Sequence, residues 1–221
     1  MLPLFIGLGV AIVLIILILI FYPKYRNKKI KKDFLSVYGK RIYKYANQKD
    51  LYLINQLELK GNDDQILKID HLLFGNKYIY LIKDYYLPGV IDAKENDRSF
   101  IYKSNVKNSN KVYIDNPLLT NKWLIQRLSS NIGMDKSLFI GIALINDETD
   151  LGDFKTTSKD NFLISISGLR KLLDSLEARN IAPLNDDQLK YAVKDIARLN
   201  IHKKWKTNSL KNLSSHINKN G

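Results

Sequence analysis

The sequence predicts an α/β (α+β) domain built on one mixed sheet flanked by helices, preceded by a single N-terminal transmembrane helix. Three observations predict it. Residues 1–22 form an apolar run without a charged side chain. Beyond it, strand-like apolar runs alternate with segments of helical spacing. Turn and cap residues punctuate the change from one to the next.

The first run is dominated by Ile, Leu, Val and Phe. At about 1.5 Å of rise per residue it spans a hydrocarbon core of roughly 30 Å. A cleavable signal peptide wants a basic start, a shorter apolar core and a small-x-small exit. Here no Lys or Arg precedes the run, and it leaves through Phe21-Tyr22-Pro23. A retained anchor is therefore expected. Lys24, Arg26, Lys28, Lys29, Lys31 and Lys32 crowd its C-terminal side. The positive-inside rule then puts the N-terminus outside and the following domain in the cytoplasm, a single-pass protein of the cell membrane. Phe21, Tyr22 and Tyr25 suit an interfacial aromatic belt, and Gly7 with Ala11 makes a small-xxx-small pair of the kind that packs helices. The absence of cysteine agrees with a reducing compartment.

The net charge of +13 is unevenly spread. Residues 23–49 carry ten Lys or Arg against one acid, and residues 201–221 carry five Lys and no acid. Between them, residues 50–200 hold twenty basic against twenty-one acidic side chains. The composition of a neutral globular part supplies no obvious concentrated basic face of the kind phosphate attraction needs, and only clustering in the fold would create one. The basic segment beside the membrane is better matched to anionic lipid, at about 1 kcal/mol per Lys or Arg near the surface. The expected organisation is a transmembrane helix over 1–22, a basic juxtamembrane segment over 23–37, one domain over 38–200, and a basic, flexible tail over 201–221.

Along the domain, Ile30, Phe34, Tyr38 and Ile42 recur every four residues and predict an amphipathic helix over 27–46. Strands are predicted over Leu51–Leu59, Ile66–Phe74, Tyr78–Ile82 and Ser99–Tyr102, with a polar loop over Ser104–Asn110. Asn116 is a good N-cap with Pro117 at the first helical position, and that helix should reach about Asn131. Leu138–Ile145 has the length of a fully buried strand, and Phe162–Ile164 is a shorter one. Leu169–Arg179 and a segment from Asn185 to Asn200 are the remaining helices. The last opens Asn-Asp-Asp-Gln, with a cap residue, first-turn acids and a glutamine three residues on. Trp123 and most of the tyrosines are read as core rather than as stacking platforms.

The chemistry-bearing residues cluster between Ile66 and Ile91. Asp70 is a carboxylate inside an apolar strand, which is expensive unless something binds it. Gly75-Asn76-Lys77 is a turn, and the next strand leads into Lys83-Asp84-Tyr85-Tyr86 and then Gly89-Val90-Ile91. No Gly-rich phosphate loop, Cys/His cluster or nucleophile elbow is present, and His71, His202 and His216 are too scattered for a zinc site.

This order resembles the core of the NERD (nuclease-related) domain, of the PD-(D/E)xK restriction-endonuclease-like superfamily, over roughly Tyr38 to Leu176. Ile69-Asp70-His71 matches the family's Ile-Asp-His, Gly89-Val90-Ile91 its Gly-x-Ile, and Asn116-Pro117 its helix-opening Asn-Pro. The resemblance implies a restriction-endonuclease-like fold and metal-dependent phosphodiester cleavage. Mg²⁺ would be held by carboxylates and would activate a water. The departures fall on the chemistry. The family's Glu-x-Lys becomes Lys83-Asp84-Tyr85, its first-helix Gly-Glu becomes Gly39-Lys40, and the glutamine three residues after Pro becomes Thr120.

The reading preferred on these residues is a catalytically degenerate, membrane-anchored NERD-like domain with no cofactor. It would act in nucleic-acid or protein binding at the cytoplasmic membrane face, with Asp70 and His71 as remnants. A buried Asp70–Lys83 pair across neighbouring strands would be structurally sensible. Two alternatives stand beside it. One is an active Mg²⁺-dependent nuclease with a rearranged site, in which a bulge in the strand carrying Lys83 swings Asp84 beside Asp70, or Asp92 serves instead. The other is a membrane-surface adaptor with no nucleic-acid role.

Overall fold

The computed structural model describes residues 36–61 and 65–201, together with Ile15, Ile18 and Phe21. The expected membrane helix lies almost wholly outside the described residues. So do Lys24, Arg26, Lys28, Lys29, Lys31 and Lys32, and the tail with His202 and His216. Among the described residues no helix is long and apolar enough to cross a membrane. Ile15, Ile18 and Phe21 are helical and more than half exposed. Met1–Lys40 and Arg41–Gly221 are separate compact units, and the fold below is that of the second.

Helix α1 occupies 36–48. Then come strands β1 (Tyr52–Lys60), β2 (Ile66–Phe74), β3 (Ile79–Tyr85), β4 (Gly89–Asp92), β5 (Ser99–Ser104) and β6 (Lys111–Asp115). Helix α2 (Pro117–Ile132), strands β7 (Phe139–Ile145) and β8 (Asn161–Ser165), and helices α3 (Leu169–Glu177) and α4 (Asp186–Leu199) complete the order. The main sheet runs β1-β2-β3-β7-β8. It is mixed: β1, β2 and β3 are antiparallel neighbours, whereas β3, β7 and β8 are parallel. Tight connections explain the antiparallel half. The Gly75 N–H bonds the Tyr78 carbonyl at 2.9 Å and closes the β2–β3 turn. A parallel partner for β3 requires a long crossover, which β4–β6 and α2 supply. Strand β7 is buried at every residue, as befits a parallel strand covered on both faces.

Period-two alternation divides the side chains. Ile79 and Leu81 of β3 pack into a cluster with Leu124, Leu128 and Ile132 of α2 and with Ala192 and Ile196 of α4. Tyr80, between them, points the other way, and its hydroxyl donates to Glu177 of α3 at 2.5 Å. Tyr45 of α1 donates to Asp174 of the same helix at 3.1 Å. The two N-caps form as the sequence predicts, Asn116 accepting from Leu118 N–H and Asn185 from Asp187 N–H, and Gly133 ends α2 in the left-handed region.

The structure corrects two expectations. The strands form two sheets, not one, because β4, β5 and β6 pair among themselves as an antiparallel three-stranded sheet. Strands β4 and β6 had no assignment from the sequence, since β4 is only four residues long and β6 is mostly exposed. The polar stretch between β5 and β6 is the loop the sequence predicts, a hairpin turn held by Ser109 Oγ donating to the Ser104 carbonyl at 2.6 Å. Trp123 is not core. Leu124 and Leu128 take the inner face of α2, leaving Trp123 41% exposed with Arg127 stacked 5.8 Å from its ring.

One local irregularity positions the site. Ile69 and Leu72 are three residues apart, yet both join the cluster under α2 and α4, and so do Ile54 and Leu57 on β1. Alternation therefore slips by one residue in both strands at the same level, while the register between them is unchanged on either side. The slip includes Gln56 at φ 53°. A non-glycine residue in the left-handed region is strained by about 1–2 kcal/mol. Gln56→Val is accordingly expected to destabilise by about 1–2 kcal/mol in urea unfolding, although valine is the better strand former elsewhere.

Candidate functional site

The slip frees Asp70 and His71 from ordinary pleating. His71 swings to the side of the sheet that Asp84 faces, and its Nε2 meets Asp84 Oδ2 at 2.7 Å. On the other side of the ring, Nδ1 lies 2.6 Å from Asn55 Oδ1, on the slipped part of β1. The His71 and Asp84 side chains are 7% and 3% exposed. Asn55 Oδ1 is an acceptor, so Nδ1–H donates to it, while Nε2 pairs with the Asp84 carboxyl. Asp84 Oδ1 is buried and has no hydrogen-bond partner. Burial, reinforced by the nearby Asp70 charge, pushes the Asp84 carboxyl above its ordinary value, while His71 and Lys83 pull it down.

Asp70 stands at the point where β2 and β3 part. The last paired residues are His71 and Ile82, and one step further Asp70 Oδ2 accepts the Asp84 backbone N–H at 2.9 Å. The Lys83 ammonium lies 3.8 Å from the same oxygen. This Asp70–Lys83 pair is the cross-strand contact the sequence suggests, but it is partly exposed, at 39% and 24%. In water of high dielectric such a pair is worth about 0–1 kcal/mol.

Strand β3 is not bulged. Its pairing with β7 runs unbroken from Ile79–Phe139 to Tyr85–Ile145. Lys83 and Tyr85 therefore share the α2 side of the sheet, and Asp84 faces away from them. Tyr85 packs against the cluster of Ile91, Phe100, Leu118 and Ile145. Burial raises its hydroxyl far above the usual tyrosine range, with a smaller opposing contact from Thr120. Asp92 lies in the second sheet opposite Ile101, on a cavity shared with Lys94, Lys103 and Lys111. The structure thus gathers Asp70, His71, Lys83 and Asp84 and leaves Asp92 elsewhere. Sequence reasoning missed Asn55, whose signal was an amide inside an apolar strand run.

Mg²⁺ is the ion that the sequence motifs imply, and the donor set does not fit it. The Asp70 oxygen facing β3 already holds an N–H and a cation, where a second hard oxygen ligand is needed. Asp84 engages His71 through Oδ2, on the face of β3 away from Lys83. Among the described residues no group of three or more His, Asp or Glu side chains is placed to hold a metal ion.

The family profile described as "NERD: Nuclease-related domain" matches residues 34–145, just over half of the chain. The chain belongs to the NERD family. Its place in the PD-(D/E)xK-like superfamily follows from that membership. No curated protein and no solved structure matches the sequence.

Two NERD motifs now have physical reasons in this chain. The Asn of Asn-Pro is a buried bracket. Asn116 Oδ1 caps α2, and its Nδ2 donates to the Glu95 and Asp97 carbonyls at 3.0 and 2.6 Å, tying the β4–β5 turn to the helix start. The Gly of Gly-x-Ile sits at φ 154°, where an added Cβ would collide with the Lys103 carbonyl and reach Ser104 Cα at 2.9 Å. The Gly89 carbonyl also accepts the Asp150 N–H at 2.8 Å, joining β4 to the loop after β7. Gly89→Ala is expected to cost about 2 kcal/mol in urea unfolding.

Proposed function

We propose that this NERD domain is a catalytically degenerate nuclease relative that works by binding at the cytoplasmic face of a membrane. The observation that carries the reading is Lys83 Nζ standing 3.8 Å from Asp70 where the family's chemistry calls for a carboxylate. Two further features support it. Asp84 is committed to His71 on the opposite face of β3, so it does not complete a two-carboxylate site with Asp70. Tyr85, in the place of the family lysine, is partly buried and stays neutral, and a phenol offers no cation to a reacting phosphate.

The membrane half of the reading rests on the uncharged run 1–22 and the six basic residues from Lys24 to Lys32. Exposed Ile15, Ile18 and Phe21 on a helix are in keeping with it. The bound partner is a nucleic acid or a protein.

The test is an incubation of the full chain, in neutral detergent, with labelled single- and double-stranded DNA and RNA and Mg²⁺ or Mn²⁺. Binding is read at two salt concentrations. No metal-dependent cleavage above that of an Asp70→Ala control is expected. Cleavage lost in that control would sink the degenerate reading and restore a rearranged nuclease. Salt-sensitive binding without cleavage identifies nucleic acid as the partner, and its absence points to protein.

A further inference from the structure

On the α1 and α3 side of the molecule a cavity of about 290 Å³ is lined by Arg41, Lys44, Tyr45, Gln48, Ser167 and Arg170, with Ile166 and Leu169 at its apolar wall. We propose that this cavity is a binding site for a phosphomonoester. Three cations line it and no carboxylate does. The nearby acids are not among the lining residues and are already engaged. Asp174 takes the Tyr45 hydroxyl, the Lys49 ammonium at 3.2 Å and Arg170 Nε at 3.7 Å. Asp147 takes the Ser167 N–H at 2.8 Å and reaches Arg41 only at 4.0 Å. Lys44 makes no ion pair among the described residues. The positive charge inside is therefore only partly balanced.

The place in the fold agrees with the charge. Ile166 and Ser167 directly follow β8, so the cavity opens at the carboxyl end of a parallel strand, where open α/β sheets leave a crevice for ligands. Helix α3 starts there as well. Its N-cap, Gly168, has no side chain to satisfy the first-turn N–H groups, which leaves donors and the positive end of the dipole for an anion. Arg170, whose Nη1 donates to Gln48 at 3.2 Å and whose Nε faces Asp174, offers its Nη2 to phosphate oxygens, and Lys44 adds a point charge. The size is at the small end for ligand pockets, enough for a phosphate group with little attached inside the protein. This site lies apart from Asp70 and Lys83 and does not depend on whether they are catalytic.

A phosphomonoester can arrive free or as a lipid headgroup, and the experiment separates them. The full chain in neutral detergent is titrated calorimetrically with inorganic phosphate. In parallel, chain reconstituted in phosphatidylcholine is compared with chain reconstituted in phosphatidylcholine containing phosphatidic acid, reading protection of the Tyr45 region by hydrogen exchange. Lys44→Gln and Arg41→Gln are the test variants, because neither removes a close ion pair. Phosphate binding weakened at least about tenfold by Lys44→Gln is expected, the loss of one charge-assisted bond. Protection only in the phosphatidic acid membrane, lost in the same variant, would equally support the site and assign it to lipid. Binding in neither arm overturns the proposal. So does binding that both variants leave unchanged, since the basic terminal segments would then carry it.

Discussion

His71→Ala is expected to destabilise the domain by about 3–5 kcal/mol, the usual cost of leaving one member of a buried ionic pair behind. The reason is Asp84. Its side chain is 3% exposed, one of its oxygens has no partner, and His71 is the group that offsets its burial. Removing both together, as His71→Leu with Asp84→Leu, is expected to cost much less than His71→Ala alone, because no orphaned carboxyl remains. The half-exposed Asp70 provides the contrast, and Asp70→Ala should stay within about 1 kcal/mol of the parent. Urea midpoints of the four proteins decide the matter. Equal losses for His71→Ala and the double variant would mean that packing, not the His71–Asp84 pair, holds this part of the sheet.

The same pair sets a pH dependence. Burial raises the folded-state pKa of Asp84 above its ordinary value of 3.8. A raised acid binds more protons folded than unfolded, so stability falls as pH rises across the interval between the two values. Its contribution is complete below the unfolded value and is lost as pH climbs through the folded one. Asp84→Asn does not ionise. The stability of the parent relative to Asp84→Asn should therefore decline from about pH 4 toward neutrality. An advantage that grows with pH would show that the ionised carboxylate is the better-held form.

These expectations mark what the sequence could and could not disclose. Strand β2 and the helix caps were legible because apolar runs and cap residues act locally. Lys83 and Tyr85 were legible as departures because their i, i+2 spacing survives in an unbulged strand. The His71–Asp84 contact was not, because it depends on a simultaneous slip in β1 and β2 that preserves register and so leaves no mark on either hydrophobic pattern as a whole. Asn55 and Gln56 make sense only once β1 is laid against Asp70 and His71. The second sheet was hidden for a different reason. Strand β6 buries almost nothing, and an exposed five-residue strand writes no period into its sequence.

The charge at position 83 decides between a metal site and an ion pair, and reversing it should reverse the outcome. Lys83→Glu sets a carboxylate next to Asp70 on neighbouring strands, with the two side chains partly open to solvent. Without metal, facing like charges should lower stability by about 0.2–1 kcal/mol. With Mn²⁺ at a hundred times its dissociation constant, binding to the folded form alone should add about 2.7 kcal/mol. The unmodified chain, whose ammonium repels the ion, should show no such gain. Urea unfolding with and without Mn²⁺, beside the Mn²⁺ electron-spin signal, measures both. Cleavage is not expected to follow, because Tyr85 still leaves the developing phosphate charge without a neighbouring cation. If the unmodified chain gains as much from Mn²⁺ as Lys83→Glu does, Lys83 does not occlude the site and Asp70 has ligand partners other than the residues at positions 83 and 84. If only Lys83→Glu gains, one side chain separates this domain from metal binding, and Tyr85→Lys in that background becomes the change on which hydrolysis would turn.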